Sequence, residues 1–243
     1  MDIKMNENMR TIAVSHSSKQ LSADILEESL RFEVGKSPFY PISKVREPLL
    51  SKFDNPMGCI ALNKQINRKD KILILIEDNT WNAPAQIIIP ILIGYLRASY
   101  VPLHNIEIRA VSATHGIITE EELIDKVGTE VYKKVKVSQY DFSVQLNKKA
   151  HEADYIIGLH ITIPPGAVQN PYYKGMEMVA GKIGIKFIIN VVMALKGEVA
   201  DIFTGDFAKA HREGAKLSAR LYGVEIPEQA DIVVDNSFPC DID

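Results

Sequence analysis

Short apolar runs of strand length, separated by segments long enough to form a helix, recur along this chain and constrain its fold more than any other feature. Residues 71–77 (KILILIE) are apolar until they close in an acid, and read as a buried strand. Residues 106–114 (IEIRAVSAT), 154–160 (DYIIGLH) and the β-branched 186–194 (KFIINVVMA) repeat the signal. Between them, residues 84–98 have helix length, with Pro90 implying a kink or a late start. Residues 119–127 read as a helix capped by Thr119, with Glu122 as the capping-box partner. Residues 171–182 are a further helix candidate with Gly184 near its end. Residues 206–222 form the clearest amphipathic helix, opened by Asp206 and ended by Gly223, with Ala208, His211, Ala215, Ser218 and Tyr222 near one face.

Weaker signals fill the gaps. Residues 131–137 read as a weak strand, 145–152 as a short helix and 231–235 as a final strand. Lys196-Gly197 is a hairpin turn that would fold 199–204 back onto the preceding strand. The stretch 37–48 carries prolines and charges and reads as loop. The alternation predicts an α/β fold, Rossmann-like, with a mainly parallel sheet and helices on both faces.

Composition narrows the class. The chain has 243 residues, 46% hydrophobic and 24% charged, as in an ordinary globular protein able to bury a core without disulfides. A formal net charge of −3 gives no electrostatic reason to expect nucleic acid or an anionic membrane as partner. Cys59 and Cys240 form no CxxC pair and no zinc-ligand spacing, which suits idle thiols in a reducing compartment. The N-terminus is polar and lacks the apolar core of a secretory signal, and the apolar run 87–95 is too short to span a bilayer. These features point to the cytoplasm. Residues 1–22 read as a flexible leader, and 23–243 as one α/β domain.

In such sheets ligands bind at the carboxyl ends of the strands, so the residues just after each strand carry the functional information. After the first come Glu77, Asp78, Asn79, Thr80, Trp81 and Asn82. They could hold a polar ligand, and Asp78, Asn79 or Thr80 could equally cap the following helix. Thr114-His115-Gly116 follows the next strand; His115 is either an acid or base, since its pKa lies near neutrality, or a surface loop histidine. His160, ahead of the turn-forming Pro164-Pro165-Gly166, is either a ligand or a strand residue facing a helix. His211 reads as a packing or hydrogen-bonded histidine. The dinucleotide, P-loop, hydrolase-elbow and zincin signatures are absent.

Taken in order, these pieces resemble the N-terminal domain of nickel-dependent lactate racemases over roughly residues 50–243. Asn55-Pro56-Met57-Gly58 is similar to that family's Asn-Pro-Ile-Gly turn. The strand through Glu77-Asp78-Asn79-Thr80 is similar to one ending in Ser-Asp-x-Thr-Arg-Pro. Residues 113–123 (ATHGIITEEEL) resemble Gly-Thr-His-Arg-Pro-Leu-Thr-Glu-Glu-Glu-Leu, and 152–158 (EADYIIG) resemble Glu-Ala-Asp-Leu-Val-Ile-Gly. Further matches are the blocks 187–192 and 203–211 and the segment 231–242.

The resemblance implies racemisation of lactate or a related 2-hydroxy acid with a nickel-pincer nucleotide. Two histidines then act as acid and base, one for each enantiomer. His115 matches one of them; Asp78, Thr80 and Thr114 match cofactor or substrate contacts. Trp81 stands where the family has an arginine, and so loses a bidentate anion fork. Pro165 aligns with the second histidine, and the tethering lysine and the nickel-binding histidine have no counterpart, which leaves no metal ligand to assign. The family's C-terminal domain lies beyond the matched region. The resemblance therefore leaves open a racemase and a non-catalytic, Rossmann-like nucleotide- or partner-binding module, and favours a homo-oligomer or a partner subunit that covers the exposed face.

Overall fold

The strand β3 (Ile72–Glu77) is buried at every position, because helices cover both faces of the sheet it centres. The computed structural model describes residues 9–16, 19–26, 44–78, 83–112, 117–140, 152–162, 176, 179–180, 183–193 and 199–221. Four further strands run parallel with β3 or with its neighbours: β4 (Ile106–Val111), β5 (Lys136–Tyr140), β6 (Tyr155–Ile161) and β7 (Phe187–Met193). β8 (Val199–Gly205) folds back antiparallel on β7, as its position after Lys196-Gly197 predicts. The six-stranded order is β5-β4-β3-β6-β7-β8. This is the mainly parallel α/β architecture expected from the alternation.

The period of two sorts the core. Ile72, Ile74 and Ile76 face one layer with Ile157, Leu159, Phe187 and Ile189. That layer holds helices α1 (Arg46–Asp54), α2 (Leu62–Gln65), α3 (Ala85–Ala98), α4 (Glu120–Val127) and α5 (Thr129–Lys134). Leu73, Leu75 and Ile156 face the other layer, with Val111, Met176, Val179 and Ala180. Helix α6 (Phe207–Leu221) packs on β7 and β8 and places Ala210, Gly214, Ala215, Ser218 and Ala219 in the interior.

Several local expectations resolve here. α3 starts at Ala85 and runs through Pro90, so the late start is not realised. Pro90 is exposed, and the carbonyl of Gln86 that loses its donor is on the wet side of the helix. α4 has the full capping box: Glu122 N–H donates to Thr119 Oγ1 at 3.3 Å and Thr119 N–H to Glu122 Oε2 at 2.8 Å. The Lys209 amide donates to Asp206 Oδ1 at 3.2 Å, the geometry of an N-cap. α1 begins at Arg46, inside the stretch expected to be loop. Pro48 sits in its first turn, where the missing N–H has no intrahelical acceptor.

The strand expected over 131–137 is not formed as such. Thr129–Lys134 is helical, Val131 is its one buried residue, and Glu130 and Lys134 pair at 2.8 Å one turn apart. Gly128, at φ 84°, reverses the chain between α4 and α5. The strand is displaced to Lys136–Tyr140, a half-buried edge whose alternation is weak. Within the stretch expected to be leader, β1 (Met9–His16) and β2 (Lys19–Leu26) form an antiparallel hairpin in the register Met9↔Leu26 to His16↔Lys19. The expected helix 145–152, most of the helix 171–182, the turn at Lys196-Gly197 and the strand 231–235 lie outside the described residues. No described helix is long and apolar enough to cross a membrane.

Candidate ligand site at the switch point of the sheet

The chain proceeds from β3 outward through β4 to β5, then returns to lay β6 on the other side of β3. Such a reversal of strand order marks the crevice at which sheets of this class bind ligands, here between the carboxyl ends of β3 and β6. The β3–β6 ladder stops at Ile76↔Leu159, while β3 stays paired with β4 to Glu77↔Val111 and β6 with β7 to Ile161↔Val191. Each central strand thus keeps its outer neighbour and parts from the other.

Glu77 bridges the parting. Its side chain is fully buried, and Oε1 accepts the Ile161 amide at 2.9 Å, taking over where backbone pairing ends. Oε2 is buried with no hydrogen-bond partner among the described residues. Burial drives the Glu77 pKa up to about 8; Asp78 pushes the same way, while the Ile161 amide and Lys126 oppose. Asp78 follows, also fully buried. Lys126, near the end of α4, donates from Nζ to the Asp78 carbonyl at 2.7 Å. Burial lowers the Lys126 pKa, against the attraction of Glu77 and Asp78.

Behind this acid lies a polar layer on the α6 side of the sheet. His160 is 1% exposed, and its Nδ1 is 2.9 Å from the Ile161 carbonyl, which makes Nδ1 the protonated nitrogen. Its ring centroid lies 5.6 Å from that of His211 on α6. Burial, then the neighbouring His211, pulls the His160 pKa down to about 3, and burial brings His211 to about 4. Thr162 donates to Asn190 Oδ1 at 2.5 Å, and Asn190 Nδ2 donates to the Ala210 carbonyl at 3.2 Å, so β6, β7 and α6 are tied together. Gly214 lies against Asn190, where a Cβ would collide with the amide.

Of the residues expected to form a site, Asp78 stands at the crevice, while Thr80, Thr114 and His115 lie outside the described residues. His160 stands on the neighbouring strand end, but its ring turns into the α6 interface; the structural alternative is the one realised. Sequence reasoning named Glu77 within the polar run after the first strand without assigning it a role, and passed over Lys126, Thr162 and Asn190. Two carried a signal: Glu77 is an acid ending an apolar strand, and Asn190 interrupts one at its centre. A shallow concavity lined by Lys71, His104, Asn105, Glu107, Lys136 and Glu152 lies at the opposite, amino ends of the strands, away from this chemistry.

Residues 16–145 match the model of the lactate racemase N-terminal domain. The chain belongs to that family. It is 22% identical to the lactate racemase of Thermoanaerobacterium thermosaccharolyticum, over 96% of this chain and 68% of that protein. Against the lactate racemase of Lactiplantibacillus plantarum it is 26% identical, over 81% of this chain and 59% of the relative. It therefore spans 59% to 68% of the length of these lactate racemases. The lactate racemase apoprotein from Thermoanaerobacterium thermosaccharolyticum superposes with a TM-score of 0.65 at 19% identity, covering 87% of this chain and 63% of that one. A Thermotoga maritima structure from a structural genomics consortium gives a TM-score of 0.53 at 18% identity, over 76% of this chain and 60% of the other. At these identities the likeness carries the lactate racemase N-terminal fold.

Proposed function

We propose that this chain is a lactate- or 2-hydroxy acid-binding member of the lactate racemase family whose racemase chemistry is impaired. The observation that supports it is the switch-point crevice, where the buried acid of Glu77, Asp78 and the Lys126 ammonium stand together at the carboxyl ends of the sheet. In this reading Asp78, Thr80 and Thr114 contact the ligand or cofactor, and His115 is an acid/base group. Racemisation needs a proton-transfer group for each enantiomer, and His115 supplies one of them.

The nickel-pincer nucleotide of the family does not fit the donors this chain brings. The tethering lysine and the nickel histidine have no counterpart, and Pro165 stands at the second histidine's place. His160 does not stand in its place, since its side chain is 1% exposed and its ring lies against His211 in the α6 interface. Among the described residues, no three His, Cys, Asp or Glu side chains are grouped as metal ligands. This chain is accordingly assigned ligand binding and one proton-transfer group, not a hydride step. The same reading places it in the cytoplasm, assembled with itself or with a partner subunit, and light scattering at high concentration tests the assembly.

The deciding experiment is co-production with the cofactor-making enzymes, followed by metal analysis and a lactate racemisation assay. The expected result is substoichiometric nickel and turnover at background. Stoichiometric nickel with turnover lost in His115→Ala would overturn the impaired reading.

A further inference from the structure

Among the described residues, Glu77 is the carboxyl at the β3–β6 switch point with a buried oxygen that lacks a hydrogen-bond partner. Oε1 of Glu77 is occupied by the Ile161 amide, so it serves as the acceptor oxygen of the carboxyl. A proton on this side chain then sits on Oε2. That atom is wholly buried and has no hydrogen-bond partner among the described residues. A buried donor of this kind calls for an acceptor, because water has been taken from it and nothing has replaced it.

The groups around it define that acceptor. Lys126 brings an amine from α4, and Asp78 brings a carboxyl from the position just after β3. His160 on β6 lies 3.9 Å from Oε1, and His211 lies behind it on α6. Both histidines are held uncharged near neutrality by burial. Lys126 and Asp78 act on Glu77 in opposite senses, so the preference for an anion comes from the acid proton itself, which needs an acceptor. Hydrogen bonds from a neutral acid to a carboxylate are charge-assisted and short, and need a single donor rather than the bidentate fork that Trp81 does not provide.

We propose that Glu77, as a neutral carboxylic acid, is the residue that recognises a small monocarboxylate in this crevice, donating from Oε2 to the ligand's carboxylate oxygen. This rests on the reading of the β3–β6 switch point as the ligand site, and assigns the recognition of its acid group. Burial supports the neutral form up to about pH 8. An anion bound against Oε2 raises that limit further, so binding takes up a proton whenever the free protein has lost it.

The test uses the full chain without any nickel cofactor, with L- and D-lactate as probes in calorimetric titrations from about pH 6 to about pH 10. Wild-type affinity should be constant on the acid side and fall by about tenfold per pH unit once Glu77 ionises, since one proton is linked to binding. Glu77→Gln keeps a neutral donor in the same place. It should bind lactate with no pH dependence, whereas Glu77→Ala should lose at least about tenfold in affinity at about pH 6. Should Glu77→Gln fail to fold, the wild-type protein decides alone: lactate added at about pH 9 must draw protons from a weakly buffered solution. A flat wild-type pH profile, no proton uptake, a folded Glu77→Gln that does not bind, or no lactate binding at any pH would each overturn the assignment. Lactate binding without this pH signature removes only the role of Glu77, whereas no lactate binding at any pH removes the ligand-site reading with it.

Discussion

The Thr162 hydroxyl donates to Asn190 Oδ1 at 2.5 Å, inside a sheet whose neighbouring side chains are otherwise almost all apolar. The other end of the same amide reaches the Ala210 carbonyl on α6, so Asn190 pins a strand end to a helix. Asn190→Ala takes the acceptor from the buried Thr162 hydroxyl and the added donor from the Ala210 carbonyl, and should cost about 1–3 kcal/mol. Gly214→Ala should cost about 1–3 kcal/mol through overpacking, because its new methyl meets the Asn190 amide. The double variant should be less destabilised than the sum, since removing the amide makes room for the methyl. Urea midpoints of the four proteins check this, and strict additivity would remove the contact from the account.

The capping box of α4 holds the helix that delivers Lys126 to Asp78. Thr119→Ala removes the side-chain acceptor of the Glu122 amide and should destabilise the protein by about 1 kcal/mol. Glu122→Gln should cost less, because an amide oxygen can still accept from the Thr119 N–H. Denaturant titration of both variants should rank them in that order.

His160, His211 and Glu77 shape the pH dependence of stability between about pH 3 and about pH 8, and they act in opposite directions. His160 and His211 have folded pKa values of about 3 and about 4, below the ordinary 6.5, so the unfolded chain binds more protons as pH falls under 6.5. Their effect is full stability above that point and progressive loss on acidification. Glu77 has a folded pKa of about 8 against an ordinary 4.5, so the folded chain holds the extra proton and stability declines as pH rises through 4.5 to 8. Between 4.5 and 6.5 the two histidines outweigh the one acid, so stability should peak near pH 6.5. Melting temperatures across the range should show the peak, and Glu77→Gln should flatten the decline above pH 6.5 and steepen the rise between 4.5 and 6.5.

Lys126 lowers the Glu77 pKa by its charge. Lys126→Met removes that cation, and the alkaline decline in stability should move to higher pH. The variant should also be less stable at neutral pH, because the Asp78 carbonyl loses its donor at 2.7 Å. An unshifted alkaline limb would mean that Lys126 and Glu77 do not sense each other.

The sheet was legible wherever residues act locally or through period alone. The run ILILIE (Ile72–Glu77) is buried at every position because its own composition demands cover on both faces. Thr119 and Glu122 form their box from four consecutive residues, so spacing is enough to predict it. Residues 129–137 were not legible in this way. Val131, Tyr132, Val135 and Val137 mimic a strand, but the reversal at Gly128 and the edge position of β5 decide how they are divided between helix and strand.

The order of elements, their mainly parallel sheet and the family were thus determined by the sequence itself, since each rests on patterns carried by contiguous residues. The chemistry of the crevice was decided by tertiary structure. Glu77 and Ile161 are separated by 84 positions, and only the return of β6 to the flank of β3 brings the amide to the acid and shuts water away from it. Burial is a property of the assembled layers, and the state of a proton follows burial, so no reading of Glu77 among its sequence neighbours could assign it.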